Sequence, residues 1–276
     1  MLPYHSFISW KLGPVTIQSF GLMMALGFLV ATYVIARQFR GKEEKEHAYN
    51  LAIIAIVAGV IGSRILFFVE NPLEFASIWS FFRFWDGGLS WFGGFLGGLL
   101  GCLAYIRVKG LGFWNVADRM APALALGHAF GRLGCILGDG GHVGKITTMP
   151  WGFDVNGIGV SRHVTAWYEM LGLLALFGIL MAFRKKKPYT GFVFHSYLIG
   201  YGLLRFVSDF FRADPTYLGL TIAQYSSIAL FTTGLIMIIA GLRSAAGNAP
   251  MIRGLASGQH ADGWRRAGGR DTHKKH

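Results

Sequence analysis

The sequence predicts an all-α fold, a polytopic membrane bundle of seven transmembrane helices with the N-terminus outside and the C-terminus in the cytoplasm. Of its 276 residues, 53% are hydrophobic and only 14% are charged, which is typical of a chain surrounded by lipid. Apolar stretches of about 20 residues, the length that crosses about 30 Å of hydrocarbon, recur along the chain. Basic residues are clustered between these stretches, as expected for membrane topology.

Each apolar stretch is taken as one span, and together the spans form a transmembrane domain over 1–243. Residues 244–276 are rich in Gly, Ala and charge and cannot bury a core, so we predict a basic, disordered cytoplasmic tail. The predicted spans are 17–36, 49–69, 89–106, 116–137, 165–183, 191–211 and 218–242.

The orientation follows from alternate loops. Basic clusters occur at 37–45, 107–109 and 184–187 and again in the tail, which places these segments inside by the positive-inside rule. The net charge of +12 is therefore explained by topology, and nucleic acid is not an expected partner. The tail could be a topology anchor or a contact for anionic membrane lipids.

The two longest loops between spans, 70–88 and 139–162, both face outward in this topology. We therefore expect the functional side to be the outer one. Aromatic residues in 72–85 recur at intervals of three and four, which suits an interfacial helix that could gate lipid entry, or an aromatic belt that only anchors the loop. Cys102 and Cys135 both lie in apolar runs, so we expect no disulfide, no metal site and no cofactor.

Three arginines are predicted at one depth, roughly 8 to 9 Å below the outer boundary at helical rise: Arg64, Arg132 and Arg205. Glu169 enters the same zone, and Asp209 is the i,i+4 neighbour of Arg205. An arginine at the centre of a transmembrane helix costs at least about 2.5 to 3.5 kcal/mol, so these groups need partners. Arg205 could pair with Asp209, and Glu169 with Arg64 or Arg132, simply to hold the bundle. Alternatively, the guanidinium groups bind the phosphate of an anionic phospholipid.

Glycines recur beside these charges in the third and fourth spans, including Gly93 and Gly94. Small residues at four-residue intervals are mostly a helix-packing device, although a direct contact with a ligand is the alternative. The glycine-rich loop 138–144, which contains Asp139, follows Arg132 closely and could wrap a headgroup with its backbone amides.

Several motifs in order carry a resemblance to a known family. They include Asp-Gly-Gly-Leu-Ser-Trp-Phe-Gly-Gly at 86–94, Gly-Arg-Leu-Gly-Cys at 131–135, Arg-His-Val-Thr at 162–165 before Tyr168 and Glu169, and Tyr-Gly-Leu-Leu-Arg at 201–205. Their sequence and spacing across nearly the whole chain except the tail resemble bacterial prolipoprotein diacylglyceryl transferase.

This resemblance implies an inner-membrane enzyme that moves diacylglyceryl from phosphatidylglycerol to the thiol of a lipobox cysteine in a preprolipoprotein. Arg132 and Arg205 would neutralise the leaving phosphate. Asp209 stands where the family usually has a glutamate, and Tyr201 and Glu169 would orient the arginines. The residues predicted to bind substrate are Arg64, Gly93, Gly94, Asp139, Glu169 and Tyr201.

The chain departs from the family pattern near the predicted chemistry. Phe92 stands where the family has a histidine, and Cys135 replaces an asparagine. His128, one turn before Arg132, and His163, at the outer mouth of the fifth span, are candidate replacement bases, and each could equally be a packing histidine.

His142, in the glycine-rich loop, is a third candidate base. Cys135 could itself be a reactive thiolate or an inert membrane cysteine. The alternative function is a non-catalytic or altered-specificity paralogue that binds or moves anionic phospholipid.

Overall fold

The computed structural model describes residues 2–4, 9–12, 15–39, 41–72, 88–138, 143–155, 157 and 159–256. Each predicted span coincides with a helix in this part of the chain, and the ends differ by a few residues at most positions. The helices are α1 (Ser19–Ala36), α2 (Lys42–Glu70), α3 (Trp91–Val108), α4 (Phe113–Gly138), α5 (Thr165–Phe183), α6 (Phe192–Asp209) and α7 (Ile222–Ala256).

Among the described residues, six helices are long and apolar enough to cross a membrane, so the protein is a polytopic helical membrane protein. The exception is α6, which is 18 residues long, like α1, but carries more polar side chains. Helix α6 includes His195, Arg205 and Asp209. The side chains of His195 and Asp209 are buried. The polar side chains of α6 therefore serve its contacts with other parts of the bundle.

Helix α4 is central, because it packs against α1, α5 and α6, while α2 pairs with α3 and α6 pairs with α7. The α2–α3 pair shows why glycine is needed. A Cβ on Gly62 would lie 2.9 Å from the Cα of Gly97, and a Cβ on Gly93 would lie 2.7 Å from the Cβ of Leu66. Only residues without a side chain allow the two backbones to approach this closely.

The described part of the chain contains two small sheets that were not predicted, so the all-α prediction is wrong in this respect. Strands β1, β5, β6 and β4 form one sheet in that order, and β2 pairs with β3 as an antiparallel hairpin. Their three or four residues are too short to show strand periodicity in a search for 20-residue apolar stretches. The strands are β1 (Leu2–Tyr4), β2 (Ser9–Leu12), β3 (Val15–Gln18), β4 (Val143–Ile146), β5 (Phe153–Val155) and β6 (Ser161–Val164).

The four-stranded sheet lies at the C-terminal end of α6. The backbone N–H of Lys145, in β4, donates to the carbonyl of Phe211 at 2.9 Å. Strand β6 leads directly into α5. The sheet therefore covers the end of the bundle at which Arg205 and Glu169 lie.

Helix α7 continues through Ala256, so the predicted domain boundary at residue 244 falls inside a helix. The rest of the predicted tail, from residue 257, lies outside the described residues. So does most of the aromatic segment 72–85, of which the structure describes only residue 72.

Candidate active site

The centre of the site is Glu169, in the second turn of α5, which is 1% exposed. Its Oε2 lies 2.7 Å from the Nε of Arg132 on α4, and its Oε1 accepts a hydrogen bond from Nη1 of Arg205 on α6, also at 2.7 Å. One carboxylate therefore joins three helices. Of the two partners considered for Glu169, Arg132 is the one it contacts.

A second buried carboxylate follows at the end of α6. Oδ1 of Asp209 lies 3.1 Å from Nη2 of Arg205, which confirms the predicted i,i+4 pair, and 3.5 Å from Nε of Arg212. Its Oδ2 accepts a hydrogen bond from the hydroxyl of Thr221, just before α7. The backbone N–H of Thr221 in turn donates to Oε1 of Gln224 at 3.0 Å. Asp209 thus orients Arg205 and ties α6 to α7.

The arginines are more accessible than the carboxylates that hold them. The side chains of Arg132 and Arg205 are 23% and 15% exposed, whereas that of Glu169 is 2% exposed. Arg132 contacts Glu169 through Nε, and its terminal nitrogens have no partner among the described residues. Hydrogen-bond donors for an anion therefore remain at the surface of a cluster whose acidic side is buried.

Aromatic residues surround His128, one turn before Arg132. The hydroxyl of Tyr197 lies 3.3 Å from Nδ1 of His128, and the ring of Tyr201 lies 5.3 Å from the imidazole ring. Tyr197 and Tyr201 are stacked at 5.8 Å with an angle of 12° between their rings. Tyr197 and Tyr201 on α6 therefore pack beside His128 on α4.

His163, in β6, belongs to a separate aromatic group. Its Nδ1 lies 2.8 Å from the hydroxyl of Tyr168, which accepts a hydrogen bond from Nε1 of Trp151 at 3.1 Å. The ring of Phe211 lies 5.0 Å away. Burial lowers the pKa of His163 below its usual 6.5, so its imidazole is neutral at pH 7 and can accept a proton.

Comparison with known proteins supplies the family. The sequence model of the family described as "Prolipoprotein diacylglyceryl transferase" matches residues 7–240. The chain belongs to this family. Proteins named phosphatidylglycerol–prolipoprotein diacylglyceryl transferase are similar to it over most of their length. The one from Geobacter sulfurreducens is 34% identical over 256 residues, covering 86% of this chain and 95% of the relative.

Two further relatives with the same name show similar sequence identity and coverage. The protein from Bordetella avium is 33% identical, covering 87% of this chain and 96% of the relative. The protein from Clostridioides difficile is 34% identical, covering 83% of this chain and 92% of the relative. The family predicted from the motifs is confirmed.

In this member of the transferase family, Arg64 is not one of the two arginines that contact Glu169. It is buried, and its Nη1 donates to the carbonyl of Gly88 at 2.8 Å, just before α3. Gly93 and Gly94 face α2, as the helix-packing alternative predicted. Binding of substrate by these residues stays a prediction. Asp139 and His142 lie outside the described residues.

The two departures from the family pattern occupy different environments. Phe92 is 63% exposed on α3, with its ring 5.2 Å from that of Trp91. Cys135 is buried in an apolar cluster with Val164 and Met170. This environment favours the inert interpretation of Cys135, because thiolates form in electropositive, partly exposed surroundings.

Two groups of interacting residues were not predicted from the sequence. Arg212 lies just outside a predicted span and Thr221 lies at the margin of one, so their contacts with Asp209 were not predicted. Gln224 bonds Thr221 rather than Asp209. Asp118 is buried near the start of α4 and interacts with Lys187. Its carboxylate lies within a predicted span, and that was the available signal.

Proposed function

We propose that this chain is a phosphatidylglycerol–prolipoprotein diacylglyceryl transferase. It transfers diacylglyceryl from phosphatidylglycerol to the thiol of a lipobox cysteine, at a site facing the outer leaflet of the bacterial inner membrane. Membership of the family and the names of the three relatives support this function.

The observation that carries the proposal is the Arg132–Glu169–Arg205 arrangement. The buried carboxylate holds two guanidinium groups whose remaining N–H donors match the oxygens of a phosphate. In the reaction the thiolate sulfur attacks the glyceryl carbon, the S–C bond forms, and the C–O bond to the phosphate breaks. Negative charge then leaves with glycerol phosphate. Arg132 and Arg205 bind that charge as it develops, which lowers the barrier.

The remaining site residues serve these two arginines or the thiol. Asp209 fixes the second guanidinium group through its contact with Arg205. Tyr201 hydrogen-bonds the lipid beside the arginines. The thiol proton goes to a neutral histidine, for which His163 and His128 are the candidates, in place of the family histidine that Phe92 replaces.

The topology proposed for this function has seven spans. Helix α6 crosses the membrane despite its polarity because its charged side chains bond within the bundle, and it packs against α4, α5 and α7. The basic clusters orient the bundle so that the Arg205 end of α6 faces outward.

The test is transfer of diacylglyceryl from labelled phosphatidylglycerol to a lipobox peptide by the purified protein. We expect Arg132→Ala to abolish transfer, because the leaving phosphate loses one of its two cations. Arg107→Ala is the matched control, since Arg107 is an exposed arginine in the last turn of α3, and it should keep the wild-type rate. Absence of transfer by the intact protein, with phosphatidylglycerol still bound, would refute the enzyme and leave the lipid-binding paralogue.

A further inference from the structure

A cavity of about 600 Å³ lies at the opposite end of α6 from Arg205. Its walls come from 188–190 before α6, from His195 in the first turn of α6, and from the α7 segment 237–245. His195 and Arg205 are ten residues apart, which is about 15 Å along a helix. The cavity is therefore separate from the candidate active site.

The wall of this cavity contains a buried polar group without a partner. His195 is 5% exposed, and its Nδ1 lies 3.1 Å from the hydroxyl of Tyr189. Its Nε2 is buried and has no hydrogen-bond partner within the part of the chain that the structure describes. A buried polar atom that lacks a partner is unfavourable, so a ligand that formed a hydrogen bond with it would be stabilised.

The other wall residues define the chemistry of a ligand. Trp114, whose ring lies 4.8 Å from that of His195, and Met237 provide apolar surface. Thr190 and Ser244 place hydroxyl groups at the same cavity. This mixture of apolar wall and few polar groups is typical of a site for an amphiphile, and about 600 Å³ is in the usual range for small-molecule pockets.

Charge indicates which amphiphile fits. The basic run 184–187 immediately precedes the cavity wall at Pro188, and Lys185 and Lys186 are exposed. Lys187 is already bound to Asp118. Basic pockets between transmembrane helices on the cytoplasmic side bind anionic lipid headgroups.

We propose that this cavity binds an anionic phospholipid with a hydroxylated headgroup from the leaflet at this end of the bundle. The hydroxyl bonds Nε2 of His195 in either tautomer, because a hydroxyl both donates and accepts. The phosphate lies toward Lys185 and Lys186, and the acyl chains leave along Trp114 and Met237. This site does not depend on transferase activity.

The test uses the full-length purified protein and measures the dissociation constant of dioctanoyl phosphatidylglycerol by native mass spectrometry. The measurement is made in an Arg132→Ala background, so that the candidate active site is impaired. Ala245→Trp fills the cavity and should weaken binding at least about tenfold, because the wall is then occupied. Ala229→Trp is the matched control, since Ala229 is exposed on the same helix outside the cavity, and should change nothing.

Two further measurements distinguish the parts of the proposal. His195→Phe keeps a ring against Trp114 but removes Nε2, so lipid affinity should fall several-fold. Ala245→Trp on its own, without Arg132→Ala, should leave the transfer rate at the wild-type level. If the proposed transferase activity is absent, the effect of Ala245→Trp on lipid affinity remains.

Three outcomes would overturn the proposal. Equal affinities for the Ala245→Trp and Ala229→Trp variants would place the bound lipid elsewhere. Equal binding of dioctanoyl phosphatidylcholine would remove the role of the anionic headgroup. Displacement of the lipid by glycerol 3-phosphate alone would identify a soluble phosphate ester as the ligand.

Discussion

Helix α6 has a buried carboxylate bound to a cation at each end, and the two ends are built differently. Before its N-terminus, Asp118 on α4 accepts hydrogen bonds from the backbone N–H groups of Gly191 and Phe194, at 2.9 and 3.1 Å, and contacts Lys187 at 2.9 Å. Near its C-terminal end, Glu169 is bound by Arg132 and Arg205 instead.

The two carboxylates differ in whether the groups that bind them have further N–H donors available. The backbone donors bound to Asp118 are the N–H groups that every helix start must satisfy, so this carboxylate caps α6 and is structural. The donors bound to Glu169 belong to guanidinium groups that have further N–H bonds to offer. Asp118 therefore caps a helix, whereas Glu169 holds two guanidinium groups that retain further N–H donors, as the proposed phosphate-binding role requires.

Among the substitutions that compare the two ends of α6, Glu169→Gln should have the largest effect. The substitution keeps the shape of the side chain but removes the charge that holds two like-charged guanidinium groups together, so they repel and lose their orientation. We expect the rate of diacylglyceryl transfer to fall about 100-fold, mainly in kcat, by analogy with losing an oxyanion-stabilising donor.

Steady-state kinetics on the lipobox peptide measure this effect of Glu169→Gln. Asp154→Asn is the control, because Asp154 accepts a hydrogen bond from the N–H of Gly159 rather than binding an arginine. A Glu169→Gln variant with the wild-type kcat would show that the arginines are oriented without the carboxylate.

Asp118→Asn tests the N-terminal end of α6. We expect a loss of about 1–3 kcal/mol in the free energy of unfolding, because the helix cap loses its charged acceptor. Thermal unfolding in detergent gives the stability, and transfer per folded molecule should stay at the wild-type value. A fall in transfer without a fall in stability would contradict the structural role of Asp118.

The smallest expected effect is on the pH dependence of the unfolding temperature. Because the pKa of His163 is lowered in the folded protein, the unfolded chain binds its proton more readily below pH 6.5. The stability contribution is therefore full above that pH and is lost as pH falls through the lower, folded pKa. His163→Gln should flatten the decline of the unfolding temperature between pH 7 and pH 5.

The control for His163→Gln is internal. At pH 8 the imidazole is neutral in both states, so the two proteins should differ there only by the lost contact with Tyr168. An equally steep decline in the variant would assign the pH dependence to other groups.

Much of the bundle could be predicted because its signals are local in sequence. Seven apolar stretches predicted seven helices, and the i,i+4 spacing of Arg205 and Asp209 predicted their ion pair. The choice between Arg64 and Arg132 as partner of Glu169 could not be predicted, because depth in the membrane fixes only one of the three coordinates of a side chain. Asp118 was missed for the same reason, since its partners come from a loop and a helix start about 70 residues away.

The sequence by itself determined the membrane class, the family and the residue types at the candidate site, because hydropathy and motif order require no knowledge of packing. Tertiary structure alone decided which charges from different helices meet. It placed α4, α5 and α6 around Glu169, turned Gly93 against α2, and brought the start of α6 against α7 to form the cavity beside His195. Helix rotation and neighbour choice depend on the close packing of all faces at once, and no single stretch of sequence contains them.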